Sequence, residues 1–300
     1  MIMENNKKSA LIFSSFILKI VALATMTIDH IGWLLSDMIG SNFWLTITCR
    51  IIGRIALPLF CFMVTQGVMH TKKPGNYFLR LGIMATLIAG VLAFVEYVPI
   101  FEGLSLRNEG NIFVDLLLGA LAVYALSRKE WYYKILAIIP VGISILSFIV
   151  MGEEASQNML IHWFPFFLRP QYQFLSVGMI VLYYVAHLLK ELFLKQYSNN
   201  SGIPVESLRD TQVDQWAYNL LALMMTVFAV LGYYLLTFVL PDPYVYWIAD
   251  VQNAALIAGA FILLYNGKRG YNAKWFQYGS YLYYPIHLLL IFGIGALISL

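Results

Sequence analysis

Apolar residues fall in long runs along this chain, and the runs are about as long as a bilayer is thick. A helix that crosses hydrocarbon needs about 20 mostly apolar residues. On that basis the sequence predicts nine spans, at 11–36, 44–69, 78–98, 111–127, 134–151, 173–194, 216–240, 244–265 and 275–298. Residues 159–168, with Trp163, Phe164, Pro165, Phe166 and Phe167, are too few to cross. They predict an interfacial or re-entrant segment, or part of a tenth span. The expected fold is an all-α bundle of nine to ten transmembrane helices, one domain over 1–300. The longest polar interruption, 196–215, predicts a cytoplasmic loop with Gly202 and Pro204 as breakers.

Composition supports this reading. The chain is 60% hydrophobic and 12% charged, whereas a soluble domain is about a quarter charged. A net charge of +3 gives no reason to invoke nucleic acid. Charge placement gives orientation. With the amino terminus inside, the inner segments hold most of the 19 Lys and Arg, and the outer segments hold only Arg107 and Arg169. That asymmetry follows the cytoplasmic excess of basic residues. Lys7 and Lys8 before the first run, with Lys19 inside it, predict an uncleaved signal anchor rather than a removed leader. Cys49 and Cys61 share one predicted helix about 18 Å apart, so they do not bridge each other. No spacing suggests a metal site.

The polar residues inside the runs are the candidate chemistry. Each Arg or Asp at the centre of a span costs roughly 2.5–3.5 kcal/mol on insertion scales, and such groups tend to face the bundle interior. Lys19 and His30 are eleven residues apart in the first run, close to three helical turns, which puts them on one stripe about 16 Å apart. Arg50 and Arg54 share a face of the second run. With Asp29 they meet His30 at one level near the outer side. Asp29 itself projects about 100° away from His30, so it is an expected arginine partner rather than a support for the imidazole. Glu96, Asn111, Asp115 and Asp250 reach the same level. Lys72, Lys73, Arg80, Lys268 and Arg269 ring the inner end, and Tyr284 and His287 lie in the last run. The remaining histidines, His70, His162 and His187, read as packing residues at membrane edges.

Several segments resemble a known family. Leu18-Lys19-Ile20 with Thr27-Ile28-Asp29-His30-Ile31-Gly32, and the stretch from Arg50 through Gly53-Arg54 to Pro58-Leu59-Phe60, are similar to the first two spans of the TraX family. Tyr265-Asn266-Gly267-Lys268-Arg269-Gly270 and Tyr283-Tyr284-Pro285-Ile286-His287-Leu288 resemble the way that family ends. The family is named for a conjugation protein that acetylates pilin, and it resembles the integral-membrane acyltransferase family 3, which acylates surface sugars. That larger group has an arginine ten intervening residues before a histidine taken as catalytic. Here Lys19 stands in the arginine's place, keeping the charge without the planar fork.

The resemblance implies an acetyl-CoA-dependent N- or O-acetyltransferase of the bacterial cytoplasmic membrane, multi-pass. Its donor is acyl-CoA, its acceptor an exported peptide or glycan, and lipid surrounds it. His30, Arg54, Arg50 and Asp29 are the expected catalytic set. Lys19, Arg80, Lys72, Lys73, Lys268 and Arg269 are expected to hold the cofactor. Asn111, Asp115, Glu96, Asp250, Tyr284 and His287 are expected near the acceptor or behind the catalytic set. The same buried charges also suit an ion-coupled transporter, and a non-catalytic assembly factor for an exported pilin-like protein is a third reading.

Overall fold

Proline decides where the second apolar run breaks. Its ring removes a backbone donor and crowds the carbonyl four residues earlier, and Pro58 therefore acts on Arg54. In the computed structural model the run is two helices, α2 (Phe43–Gly53) and α3 (Ala56–His70), with a turn at Arg54 and Ile55. The span expected over 44–69 is present as Trp44–His70, as this broken pair rather than one continuous helix. The structure describes residues 11–38, 43–97, 110–157, 159, 161–236, 239 and 251–298.

The other helices are α1 (Ser15–Met38), α4 (Pro74–Tyr97), α5 (Ile112–Ser127), α6 (Trp131–Leu136), α7 (Ile138–Gln157), α8 (Gln173–Ser201), α9 (Val205–Leu208), α10 (Gln212–Leu236), α11 (Ile257–Leu263) and α12 (Lys274–Ile298). Pro140 sits four residues beyond Leu136, where α6 gives way to α7, as Pro58 does beyond Arg54. Between α7 and α8 the described residues hold one 3₁₀ turn, Phe166–Leu168, and no further span. Helix α8 runs on through Ser201, well into the segment expected as a loop. It stops at Gly202, whose φ of +71° and bond to the Ser198 carbonyl form a left-handed cap.

Among the described residues six segments are long and apolar enough to cross a membrane: Ser15–Trp33, Trp44–His70, Pro74–Tyr97, Trp131–Glu154, Phe166–Ser201 and Gln212–Leu236. Ile112–Ser127 and Asn253–Leu263 are shorter apolar helices. This is a membrane protein. Its outer faces carry large exposed apolar side chains, such as Ile138 and Ile139 on α7 and Phe228 on α10, where lipid takes the place of a core.

Helix α3 is the centre of the bundle. It packs against α1, α5, α8 and α11, and Leu59, Cys61, Phe62 and Thr65 are fully buried in it. A helix apolar on every side is a core helix. Small residues let its neighbours close in. A Cβ on Gly32 would overlap Cys49 of α2, and one on Gly119 would overlap Ile180 of α8.

The segment that opens α1 is tied to the turn before α12 at one end of the bundle. Phe13 bridges Tyr265 in parallel, and the amides of Ser15 and Phe16 donate to the carbonyls of Lys268 and Arg269 at 2.9 and 3.0 Å. These bonds satisfy amides that a helix start leaves without partners. Gly267 and Gly270 take φ values of +72° and +70°, and a side chain on Gly270 would strike Ser14. The turn is therefore held in one shape, which carries Arg269 to the foot of α1.

Candidate functional site

One cavity of about 560 Å³ opens beside that turn, within the size range of small-molecule sites. Ser15, Lys19, Leu23 and Met26 line it along one stripe of α1. The facing walls come from α3 (Phe60, Gln66, His70), α4 (Tyr77, Arg80), α5 (Ile112, Phe113, Leu116) and α12 (Gln277, Tyr281, Tyr284). Of the six cations expected to hold a cofactor, the structure brings Lys19, Arg80 and Arg269 to this cavity. Lys72, Lys73 and Lys268 are exposed on the turns beside its mouth and do not line it. Lys19 lies over the Phe276 ring at 5.6 Å and Arg80 over Tyr77 at 5.9 Å. Each contact restrains a cation without neutralising it.

Apolar side chains share the lining with these polar groups, among them Leu23, Met26, Phe113 and Leu116, and Tyr284 lines it from α12. His30 is one turn beyond Met26 on the same stripe and does not line the cavity. The Tyr284 ring separates the two. It meets the His30 ring edge-on at 6.0 Å, the His287 ring at 5.5 Å and the Phe113 ring at 5.5 Å.

His30 is paired with His287. Nδ1 of His30 and Nε2 of His287 are 2.7 Å apart, and Nδ1 of His287 is 2.8 Å from the Tyr283 carbonyl. The Tyr283 ring stacks on His287 at 5.0 Å and 11°, and its hydroxyl is held by Thr27 Oγ1 at 2.6 Å. His287 is buried, while His30 is half-buried.

Asp29 turns away from the imidazole to the arginines. Nη1 of Arg50 donates to Oδ2 at 2.9 Å and Nη2 of Arg54 to Oδ1 at 3.2 Å. The break at Pro58 leaves Arg54 in the turn between α2 and α3, from which it reaches both Asp29 and, at 3.5 Å, the Tyr172 hydroxyl. Gly53 makes the approach possible, because a Cβ there would overlap the Asp29 carboxyl.

The other expected residues lie elsewhere. Asn111 caps α5, accepting from the Phe113 amide and donating to the carbonyls of Ala85 and Phe167. Asp115 accepts from the amides of Gln171 and Tyr172 and from the Ser176 hydroxyl, anchoring the start of α8. Both are fully buried and bound to backbone. Glu96 is in the last turn of α4, and Asp250 lies outside the described residues. Among the described residues no group of acidic, histidine and cysteine side chains could hold a metal ion.

Gln66, Tyr77 and Gln277, which supply much of the cavity's polarity, are not among the residues the sequence points to. His70, expected as a packing residue, is at the mouth. One signal was available. Gln66 and His70 are four apart on an otherwise apolar helix, and Gly67 between them makes room for the Tyr77 hydroxyl, which lies 2.8 Å from where a Cβ would stand.

The profile of a protein family, described as TraX protein, matches residues 14–295. The chain belongs to the TraX family. The matched region takes in the whole site, from Ser15 at the mouth to His287 behind His30. This TraX-family chain is 34% identical over 120 residues to a protein of Dichelobacter nodosus named "Probable fimbrial assembly protein FimC, serogroup H1", covering 37% of this chain and 46% of that one. It is 29% identical over 170 residues to "Uncharacterized protein RP591" of Rickettsia prowazekii (strain Madrid E), covering 57% and 54% of the two chains. The chain spans about half the length of these curated relatives. No solved structure matches it.

Proposed function

We propose that this protein is an acyltransferase of the bacterial cytoplasmic membrane, related to the integral-membrane acyltransferase family 3. It moves an acyl group, most simply acetyl, from cytosolic acyl-CoA to an amine or hydroxyl of an exported acceptor. The observation that carries the reading is the stripe Ser15–Lys19–Leu23–Met26–His30 on α1, which runs from the cations of the cavity past Leu23 and Met26 to a histidine pair just behind the Tyr284 ring of the cavity wall.

The chemistry follows the stripe. Ammonium and guanidinium groups bind phosphate strongly, so Lys19, Arg80 and Arg269 suit the donor's phosphates at the mouth. The pantetheine arm is thin and only moderately polar, and suits the lining along Leu23 and Met26. His30 takes the acceptor's proton as its nitrogen or oxygen attacks the thioester carbonyl carbon. The carbon–sulfur bond breaks, and the leaving thiolate takes the proton back from His30. Histidine matches this role because its unperturbed pKa is near 6.5. Arg50, with 28% of its side chain exposed against 4% for Arg54, is the more open of the pair for a developing oxyanion. Such a donor is worth roughly 2.7–4 kcal/mol in other enzymes.

Purified protein is expected to release CoA thiol from acetyl-CoA in the presence of acceptor, and His30→Ala to abolish that release while leaving the protein folded. Arg80→Gln and Arg269→Gln are expected to raise KM for acetyl-CoA more than they lower kcat. Full turnover by His30→Ala would refute the reading.

A second reading has its own support in the printed name of the Dichelobacter nodosus relative. It makes the chain a non-catalytic factor in fimbrial or pilus assembly. It predicts that neither His30→Ala nor Arg80→Gln affects assembly of surface fibres.

A further inference from the structure

The histidine pair is more specific than a contact between two rings, because the bonds around it run in one direction. A carbonyl oxygen only accepts, so the 2.8 Å contact to Tyr283 places a proton on Nδ1 of His287. In the neutral ring Nε2 then carries a lone pair. That lone pair faces Nδ1 of His30 at 2.7 Å, so the proton between the rings belongs to His30. The opposite arrangement would set a lone pair of neutral His287 against a carbonyl lone pair. With its proton on Nδ1, neutral His30 has its lone pair on Nε2, the ring nitrogen not engaged with His287.

The surroundings hold His287 in that orientation. Thr27 fixes the Tyr283 hydroxyl at 2.6 Å, and the Tyr283 ring lies parallel to His287 at 11°. Tyr284 closes the side toward the cavity, edge-on to both imidazoles. Among the described residues no carboxylate takes this place. Asp29, the adjacent acid, is occupied by Arg50 and Arg54.

We infer that His287 is a positioning residue that fixes the tautomer of His30, leaving His30 Nε2 as the atom that removes the acceptor's proton and returns it to the leaving thiolate. The inference rests on the acyl-transfer reading for its chemistry and on hydrogen bonding alone for the tautomer. When Nε2 takes the proton, the charged His30 ring still donates through Nδ1 to His287, which stabilises the imidazolium without becoming protonated itself. A neutral imidazole anchored to a carbonyl thus does the orienting work that a carboxylate does in a Ser-His-Asp triad.

The test uses full-length protein in lipid nanodiscs with ¹⁵N-labelled histidine, as wild type, His287→Gln and His287→Leu. Glutamine can accept from His30 through its carbonyl and donate to Tyr283 through its amide, whereas leucine fills the space and does neither. The ring-nitrogen shifts of His30, assigned by their loss in His30→Ala, are expected to show protonated Nδ1 and bare Nε2 in wild type and His287→Gln. In His287→Leu they are expected to show a mixture or the opposite tautomer.

The kinetic arm uses radiolabelled acetyl-CoA with a peptide bearing a free amino terminus and glucosamine as acceptor probes. His287→Leu is expected to lose about 10²–10⁴-fold in kcat with little change in KM for acetyl-CoA, and His287→Gln to recover at least about tenfold of that loss. Bare Nδ1 on His30 in wild type, a tautomer unchanged in His287→Leu, or a kcat unchanged in His287→Leu would each overturn the inference. Wild-type protein that acylates neither probe counts against the acyl-transfer reading instead, and the ring nitrogens still decide whether His287 sets the tautomer.

Discussion

Asp29 is where two guanidinium groups converge, and a glycine makes room for it. Its carboxyl meets Arg50 at 2.9 Å and Arg54 at 3.2 Å over the bare backbone of Gly53. Gly53→Ala is expected to push the carboxyl off its seat and destabilise the protein by about 1–3 kcal/mol, the usual range for overpacking. Asp29→Ala takes from both arginines the carboxylate they share and is expected to cost more, roughly 3–5 kcal/mol. Thermal unfolding in detergent would order the two, and a Gly53→Ala variant as stable as wild type would show that this seat is not tight. The sequence made the partners readable, since Arg50 and Arg54 share a helix face and Asp29 points off the His30 stripe. It did not reveal the seat, because one glycine in a span looks like any other until the facing helix is in place.

At the scale of the element, the break between α2 and α3 has the largest consequence. Pro58 denies the Arg54 carbonyl its helical partner; the Arg54 amide still reaches the Arg50 carbonyl at 3.2 Å and shares its proton with Ile51 at 3.3 Å, while the Ile55 amide turns to the Ile52 carbonyl at 3.2 Å. Pro58→Ala is expected to let one helix run through 44–69 and to turn the Arg54 guanidinium away from Asp29. Acyl transfer should fall while thermal stability holds or rises, since a proline inside a helix costs about 3 kcal/mol. A loss of stability alongside activity would mean that the break is needed for folding rather than for placing Arg54. Hydropathy averages over a window and passes smoothly across such a turn, which is why 44–69 reads as a single span.

At the scale of the molecule, the prediction concerns orientation. The mouth carries Arg80 and Arg269, with Lys72, Lys73 and Lys268 beside it, and the positive-inside rule predicts that this end faces the cytoplasm. Cysteines placed at Lys72 and Lys268 in a chain with Cys49→Ser and Cys61→Ser are expected to react with a membrane-impermeant maleimide only after the cytoplasmic side is opened. Labelling in intact cells would invert the topology and put the donor on the wrong side of the cavity. The bundle was legible in outline because a bilayer demands apolar runs of fixed length. The cavity was legible along α1, where Lys19 and His30 share a stripe, and in the cations Arg80 and Arg269. Its other walls come from four more helices and the turn before α12, and no spacing within one helix records them.

By itself the sequence determined that this chain lives in a membrane and that His30 shares a stripe with Lys19. Those properties are local, fixed by composition and by the 3.6-residue period of the helix. Only the tertiary structure decided that Asn111 and Asp115 bind backbone, that Lys72, Lys73 and Lys268 stand outside the cavity, and that His287 meets His30. The reason is physical. A buried polar group must find a partner, and which partner it finds depends on helices distant in sequence that packing alone brings together.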